Sequence, residues 1–140
     1  MQLMVGHSLL VTSLGEVWLL TGRLEEAAES ASLALTLSRE HEERGYEARA
    51  LRLLGELALQ REPPDLDGAA EFCRQACALA GELGMRPLVA QSHLLLGRVH
   101  ARAGRSLAEA QLAMAAALFR ELGMPFWARQ AETALATGSA

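Results

Sequence analysis

A glycine recurs at a fixed interval along this chain of 140 residues. Gly45, Gly84 and Gly123 are separated by 39 residues in both intervals, and the last two lie in identical Glu-Leu-Gly-Met segments. Glycine is the residue that most easily takes the left-handed conformation with which helices commonly end. We therefore predict that each of these glycines closes a helix and that the chain is built from internal repeats.

A second set of glycines, the helix glycines, follows a leucine inside apolar segments at Gly15, Gly55 and Gly97. Because glycine within a helix costs about 1 kcal/mol relative to alanine, we expect each one to allow close contact with a neighbouring helix. A short turn follows each helix glycine, and then a triplet spaced four and three residues apart, which places every triplet along one stripe of a helix. The three triplets are Ala27, Ala31 and Ala34; Ala69, Cys73 and Ala76; and Ala110, Met114 and Ala117.

The pattern predicts an all-α protein with helices at about residues 3–20, 24–44, 46–60, 66–83, 86–103, 107–122 and 125–136. The first six form three helix-turn-helix repeats, at about 3–44, 46–83 and 86–122. The seventh is a C-terminal capping helix with Phe126, Trp127 and Leu135 packed inward. Residues 1–136 thus form a single domain, and residues 137–140 form a flexible tail.

A Leu-Gly pair followed about a dozen residues later by such a triplet resembles the tetratricopeptide repeat, a two-helix unit of about 34 residues. The resemblance covers residues 8–124, with Trp18 at the position of the family's tyrosine and Ala58 and His100 at that position in later copies. These longer repeats are similar to those in the helical C-terminal regions of large bacterial signalling ATPases and transcriptional regulators. The resemblance implies a TPR-like α-solenoid, a right-handed superhelix of three repeats plus the capping helix.

Composition and charge limit the partners. The net charge of -4 and the sequence pI of about 5.6 give no general attraction to phosphate backbones or anionic lipids, so we expect neither nucleic acid nor a membrane. Helical-repeat RNA binding is an alternative, supported only by Arg98, Arg102 and Arg105. Residues 1–20 lack the basic start of a secretion signal, and two cysteines four residues apart suit reduced thiols, so we expect a cytoplasmic protein.

The resemblance implies that a partner binds along a concave face formed by the first helix of each pair. The family's ligand-facing positions fall on Leu9, Thr12, Ser13, Glu16, Arg49, Arg52, Leu53, Glu56, Gln91, Leu94, Leu95, Arg98 and Arg102. Because guanidinium groups bind carboxylates well, the expected partner is a protein or peptide of acidic or mixed charge. The family's clamp for C-terminal carboxylates is not expected, since Thr12, Glu16 and Leu53 stand at its positions. The alternative is a solvated face on which pairs such as Arg52 and Glu56 neutralise each other.

The first predicted helix is apolar on several faces, which is typical of a buried helix. We therefore expect it to be covered, either by preceding repeats of a longer chain or by a second copy of the protein. The candidate residues for such a homodimer are Leu3, Val5, Leu9 and Leu10. The alternative is a monomeric protein with an apolar cap.

Catalytic, cofactor and metal sites are not expected. The sequence has no phosphate-binding glycine loop, no nucleophile elbow and no HExxH motif, so we predict no enzymatic activity. Cys73 and Cys77 on one helix and His93 and His100 on the next have spacings that suit a Cys/His metal site, but we expect core residues instead. The sequence thus predicts a protein-interaction scaffold. The alternatives are a regulatory or sensory segment of a larger signalling ATPase or transcriptional regulator, or a self-association module.

Overall fold

The computed structural model describes the backbone of residues 2–138 and the side chains of residues 8–137. This part of the chain contains no strand and forms the helices α1 (Gln2–Leu20), α2 (Leu24–Glu40), α3 (Arg44–Gln60), α4 (Leu66–Glu82), α5 (Arg86–Arg102), α6 (Leu107–Glu121) and α7 (Pro125–Gly138). The all-helical prediction is confirmed, and every helix boundary except the end of α2 lies within about two residues of the predicted one. Residues 139–140 of the predicted tail lie outside the described residues.

The helices pack in the order of the chain. Each helix contacts the next one, and the odd-numbered helices α1, α3, α5 and α7 also contact one another in succession. No other pair of helices in the described part of the chain is in contact. The odd-numbered helices therefore form a continuous row, and each of the even-numbered helices α2, α4 and α6 covers the junction between two members of that row.

The helix glycines lie where an odd-numbered helix meets its even-numbered neighbour. A Cβ atom added to Gly55 would lie 3.1 Å from the sulfur of Cys73, and one added to Gly97 would lie 2.6 Å from Cγ of Leu112. A Cβ atom on Gly15 would lie 3.4 Å from Cβ of Ser30 on α2 and 2.8 Å from Cδ2 of Leu53 on α3, so this glycine also meets the next odd-numbered helix. These separations are shorter than ordinary contacts between carbon atoms, which lie near 3.5–4.0 Å. The close helix contact predicted from the sequence is confirmed.

The predicted stripes of small residues are buried on α2 and α4, but the stripe predicted for α6 is wrong. Ala110, Met114 and Ala117 are exposed. The buried stripe of α6 runs instead through Leu112 and Phe119, with Leu112 in the place that Cys73 has on α4. The physical reason is that α6 has 15 residues and α4 has 17. The missing residues are at the start of α6, so counting from the preceding turn places the stripe two positions too late.

The predicted helix end at Gly45 is also wrong. Gly45 lies within the first turn of α3, and the residue with a left-handed backbone after α2 is Glu42, with φ of 55°. A left-handed conformation costs a non-glycine residue roughly 1–2 kcal/mol. The ends at Gly84 and Gly123 are confirmed, with φ of 70° and 69°. The interval between Gly45 and Gly84 therefore does not measure a structural repeat, because only the second of them ends a helix.

The last helix closes one end of the described core. Trp127 stacks on Phe119 of α6 with their ring centroids 5.7 Å apart, and Leu135 packs against the same cluster. Such an aromatic pair contributes about 0.5–1.5 kcal/mol beyond the area that it buries. The inward packing predicted for Trp127 and Leu135 is confirmed. The inward packing predicted for Phe126 is wrong, because that ring is largely exposed.

We expect Gly97→Ala to lower the free energy of unfolding by about 1–3 kcal/mol, because the new methyl group would overlap the side chain of Leu112. Gly81→Ala is the matched control. A Cβ at Gly81 would meet no atom within 4 Å, so the reduced freedom of the unfolded chain should raise stability by up to about 1 kcal/mol. Urea denaturation followed by circular dichroism measures both changes. Equal effects at the two positions would contradict close helix contact at Gly97.

Candidate binding groove

The row of odd-numbered helices carries a groove on one face. The groove encloses about 960 Å³, and every helical residue that lines it belongs to α1, α3, α5 or α7. This volume lies at the upper end of the usual range for ligand pockets, about 300–1,000 Å³. The lining residues, which define the main groove, are Glu16, Leu19, Leu20, Gly22, Arg49, Arg52, Leu53, Glu56, Gln60, Met85, Pro87, Leu88, Gln91 and Trp127.

Two ion pairs lie in the main groove. Nη2 of Arg49 on α3 lies 2.5 Å from Oε1 of Glu16 on α1, and Nη1 of Arg52 lies 3.3 Å from Oε2 of Glu56 one turn further along α3. The contact between Arg52 and Glu56 that was expected from the sequence is confirmed. At this end of the groove the charges are therefore balanced within the chain itself, and no excess of positive charge faces the solvent.

Arg52 still has unused hydrogen-bonding capacity. Its Nε atom is buried and has no acceptor in the described part of the chain. Leaving a buried donor without a partner costs about 1–3 kcal/mol. The same side chain also lines a smaller cavity of about 220 Å³, together with Gln91, Arg98 and Trp127. An acceptor oxygen is the group that Arg52 lacks.

The end of α5 carries two arginines without a carboxylate partner. Arg98 donates to Oε1 of Gln130 at 3.4 Å, and Arg102 is exposed and forms no ion pair within residues 8–137. Both arginines line a further cavity of about 560 Å³ between α5 and α7. The sequence of α5 contains no acidic residue. Positive charge is therefore available here, unlike at the α1 end of the row.

Four residues predicted to face a partner are almost completely buried. Thr12, Leu53, Leu94 and Leu95 are at most 4% exposed, and Thr12 donates its hydroxyl to the backbone oxygen of Ser8 at 2.7 Å. Leu53 nevertheless lines the main groove, and Leu94 and Leu95 line the smaller cavity beside it, whereas Thr12 lines none of these spaces. Neighbouring helices cover the odd-numbered helices on more than one side, so the free face is narrower than simple counting from the helix glycines suggests.

The remaining predicted residues separate into three groups. Glu16, Arg49, Arg52, Glu56 and Gln91 line the main groove. Arg98 and Arg102 line the neighbouring cavities, whereas Leu9 and Ser13 line none of these spaces. Most of the polar residues predicted to face a partner therefore lie in the main groove or in the cavities next to it.

Sequence reasoning missed the apolar part of the groove. Leu19, Leu20, Met85 and Trp127 come from helix ends, a turn and the last helix, which the repeat count did not assign to the binding face. Leu20 is 86% exposed, which is unusual for a leucine. Its place directly before the Thr21-Gly22 turn is the sequence signal that could have indicated exposure.

The first helix exposes an apolar stripe outside the groove. Leu10 is 65% exposed, and Leu9, Leu14 and Val17 are also exposed. Leu3 and Val5, the other residues predicted to mediate self-association, lie on α1 but outside the described side chains. The part of the apolar surface that the structure describes is therefore open to solvent, as the sequence prediction for α1 requires.

The same stripe is buried on the next odd-numbered helix. Val17 stands two residues after Gly15, and Leu57 stands two residues after Gly55. Leu57 is only 4% exposed and belongs to a core cluster that includes Ala27 and Ala31 of α2. No helix in the described part of the chain covers Val17 in this way. The stripe on α1 thus has the composition of a surface that elsewhere in the chain lies under an even-numbered helix.

The two cysteines and the two histidines of α5, whose spacing suits a metal site, do not converge on one point. Cys73 is fully buried, and burial raises the pKa of its thiol to about 12. His100 is also buried, and its pKa is lowered by burial and by nearby arginine charges. Both are core residues, as expected, whereas Cys77 and His93 are half-buried and contact each other at 3.5 Å. Among the described residues, no group of three or more His, Cys, Asp or Glu side chains is placed to hold a metal ion.

Comparison with protein-family models finds no matching family, and comparison with curated proteins finds no relative of significant similarity. No helix among residues 2–138 is both long enough and apolar enough to cross a membrane. Function is therefore inferred from the geometry and charges of the groove.

The ion pair between Arg49 and Glu16 should stabilise the packing of α3 on α1. Their side chains are 32% and 36% exposed, so we expect a double-mutant cycle with Arg49→Met and Glu16→Gln to give a coupling of about 0.5–1 kcal/mol that falls at high salt. The pair Arg44–Glu82, with 52% and 63% exposed side chains, is the control and should give a coupling near zero. Urea denaturation of the single and double variants measures both. A coupling no larger than that of the control would contradict a stabilising role.

Proposed function

We propose that this protein is a non-catalytic scaffold that binds a protein or peptide partner in the main groove. One observation carries the proposal: four successive odd-numbered helices line a single open space of about 960 Å³. Its lining combines exposed apolar side chains with arginines and glutamates. A groove that extends across several helices suits an extended or helical peptide, which presents side chains at regular intervals along its length.

We also infer that the helix pairs are tetratricopeptide-type repeats stacked into a right-handed α-solenoid. Contacts restricted to neighbouring helices support this inference, since each repeat of such a protein touches only its neighbours. The recurrence of a helix glycine against a buried stripe in each pair supports it as well. In this arrangement the odd-numbered helices line the concave side, which is the side that carries the main groove.

The ligand that best matches the groove carries both apolar and acidic side chains. Leu20 offers apolar surface at the α1 end of the main groove, and Arg98 and Arg102 offer positive charge in the neighbouring cavity near α7. Arg49 and Arg52 already have glutamate partners, so an additional carboxylate gains less there and must compete with an existing ion pair. A peptide of mixed charge with at least one large apolar residue is therefore a better match than a uniformly acidic one.

Selection of peptides from a random library displayed on phage tests the proposed function. We expect selection against the immobilised protein to enrich a segment with a large apolar residue and one or two acidic residues. Leu20→Glu and Arg102→Glu should each weaken binding of the matching synthetic peptide by about tenfold or more, measured by fluorescence anisotropy. Leu107→Glu and Arg129→Glu are matched controls, because both residues are exposed and neither lines the main groove or the cavity between α5 and α7 that contains Arg102.

The control variants should keep nearly the affinity of the unmodified protein. An equal loss of affinity in the control variants would show that binding depends on overall charge. If no peptide sequence were enriched, the proposal that the groove binds a peptide would be contradicted.

Self-association through α1 is a second candidate function. It is favoured by the exposed stripe of Leu10, Leu14 and Val17, because Ala50 and Leu57, the α3 equivalents of Leu10 and Val17, are buried. Pairing of two α1 helices would remove this apolar surface from water, which contributes about 25 cal/mol for each Å² buried.

For this second candidate we expect sedimentation velocity to show a dimer at high micromolar concentration. The double substitution Leu10→Glu and Val17→Glu should give a monomer with an unchanged thermal unfolding midpoint, since both side chains are exposed in the single chain. Leu33→Glu, at an exposed leucine of α2, is the control and should leave the dimer intact. A protein that stays monomeric at the highest soluble concentration would rule out self-association through α1.

A further inference from the structure

A polar cluster lies on the side of α5 away from the main groove. Sγ of Cys77 on α4 lies 3.5 Å from Nε2 of His93 on α5, and Nδ1 of His93 lies 2.7 Å from Oε1 of Gln111 on α6. We call these three residues the thiol cluster. All three side chains are half-buried. Because α4 and α6 do not contact each other, the cluster links two even-numbered helices through α5.

The bond to Gln111 determines which nitrogen of His93 carries the proton. The Oε1 atom of an amide only accepts hydrogen bonds, so Nδ1 of the imidazole is the donor. Nε2 of the neutral ring is then an acceptor, and it faces the thiol of Cys77, which donates to it. This is the arrangement in which an imidazole acts as a general base on a thiol nucleophile.

Packing between the helices does not require these polar groups. The equivalent positions on α2, α3 and α4, counted from the helix glycine and from the buried stripe, hold Leu35, Leu51 and Phe72. Three apolar side chains therefore fill the corresponding junction one repeat earlier. Burial of apolar surface favours such residues, and polar side chains at a half-buried junction give up part of that gain. A purely structural role does not account for a thiol, an imidazole and an amide that bond to one another.

The second cysteine of α4 provides a comparison. Cys73, one turn before Cys77, is fully buried, and burial raises the pKa of its thiol to about 12. Burial also raises the pKa of the Cys77 thiol, so the resting side chain is a thiol. Two features distinguish Cys77: it is partly accessible to solvent, and it has a base within hydrogen-bonding distance.

We propose that Cys77 is a reactive thiol that His93 deprotonates and that exchanges with low-molecular-weight disulfides. The S–H proton moves to Nε2 of His93, and the thiolate attacks one sulfur of the disulfide R–S–S–R. The bond between the two reagent sulfurs breaks as the bond between Cys77 and one R–S group forms. The leaving R–S⁻ takes the proton from the imidazolium and departs as R–SH, so the Cys77 sulfur is oxidised to the disulfide level while the departing sulfur is reduced to a thiol, and no further oxidant is needed.

Reaction with dithiobis(nitrobenzoic acid), an aromatic disulfide whose thiolate product absorbs visible light, tests this proposal. In the native protein we expect one fast thiol per chain, absent from Cys77→Ser, and a second thiol, Cys73, that reacts only after denaturation. His93→Gln should slow the reaction of Cys77 by about tenfold or more, because the general base is lost. Gln111→Leu should slow it several-fold, because the imidazole is no longer held in one orientation. Gln111→Glu keeps an acceptor and should keep the rate at or above that of the unmodified protein.

The slow reaction of Cys73 serves as an internal control for the fold in every variant. A variant in which Cys73 reacts quickly has lost its native packing. The proposal is therefore judged on the variants in which Cys73 stays unreactive. An unchanged or faster reaction of Cys77 in His93→Gln or Gln111→Leu, with Cys73 still protected, would overturn the proposal. Equal rates for Cys73 and Cys77 in the native protein would overturn it as well.

Discussion

The close approach of two helix backbones at each helix glycine fixes the geometry on which the groove depends. At Gly55 a methyl group would lie only 3.1 Å from the sulfur of Cys73, so the two helices leave little room for a side chain. Because the two helices of a pair can meet in this way in only one axial register, residues counted from the glycine occupy equivalent places in successive pairs. Glu16, Glu56 and Arg98 each stand directly after a helix glycine, and all three line the main groove or a cavity next to it.

The helices could be predicted from the sequence because their signals are local. Turns, caps and buried stripes are determined by residues within one or two helical turns of each other. The predictions fail where a helix or turn differs in length from its counterpart in another pair, because the glycines and the buried stripes are then no longer separated by the same number of residues. Shortening at the start of α6 moved the buried stripe from Met114 to Leu112, and a glycine inside α3 was mistaken for the end of α2. A spacing measured along the chain cannot distinguish these cases, since it contains no information about contacts.

The chemistry of the groove was less accessible to sequence reasoning than its position. The charged residues could be assigned by counting from the helix glycines, but the pair of Arg49 with Glu16 joins residues 33 positions apart and depends on how α3 lies on α1. The burial of Leu94 and the position of Trp127 in the lining of the groove are likewise determined by how neighbouring helices pack. Pairing within the chain reduces the charge that the groove offers a ligand, so a list of exposed arginines overestimates its preference for acidic partners.

α5 contributes to the main groove and to the thiol cluster from opposite faces. Gln91 and Arg98 are seven residues apart and share one face, whereas His93 lies about 200° around the helix from Gln91. A ligand in the groove and an adduct on Cys77 would therefore touch the same helix without touching each other. Coupling between them would require α5 to move as a rigid body relative to α6. The contact of Gly97 with Leu112 opposes that motion, because the side chain of Leu112 already fills the space beside the glycine. The two surfaces should therefore act independently as long as this contact is intact.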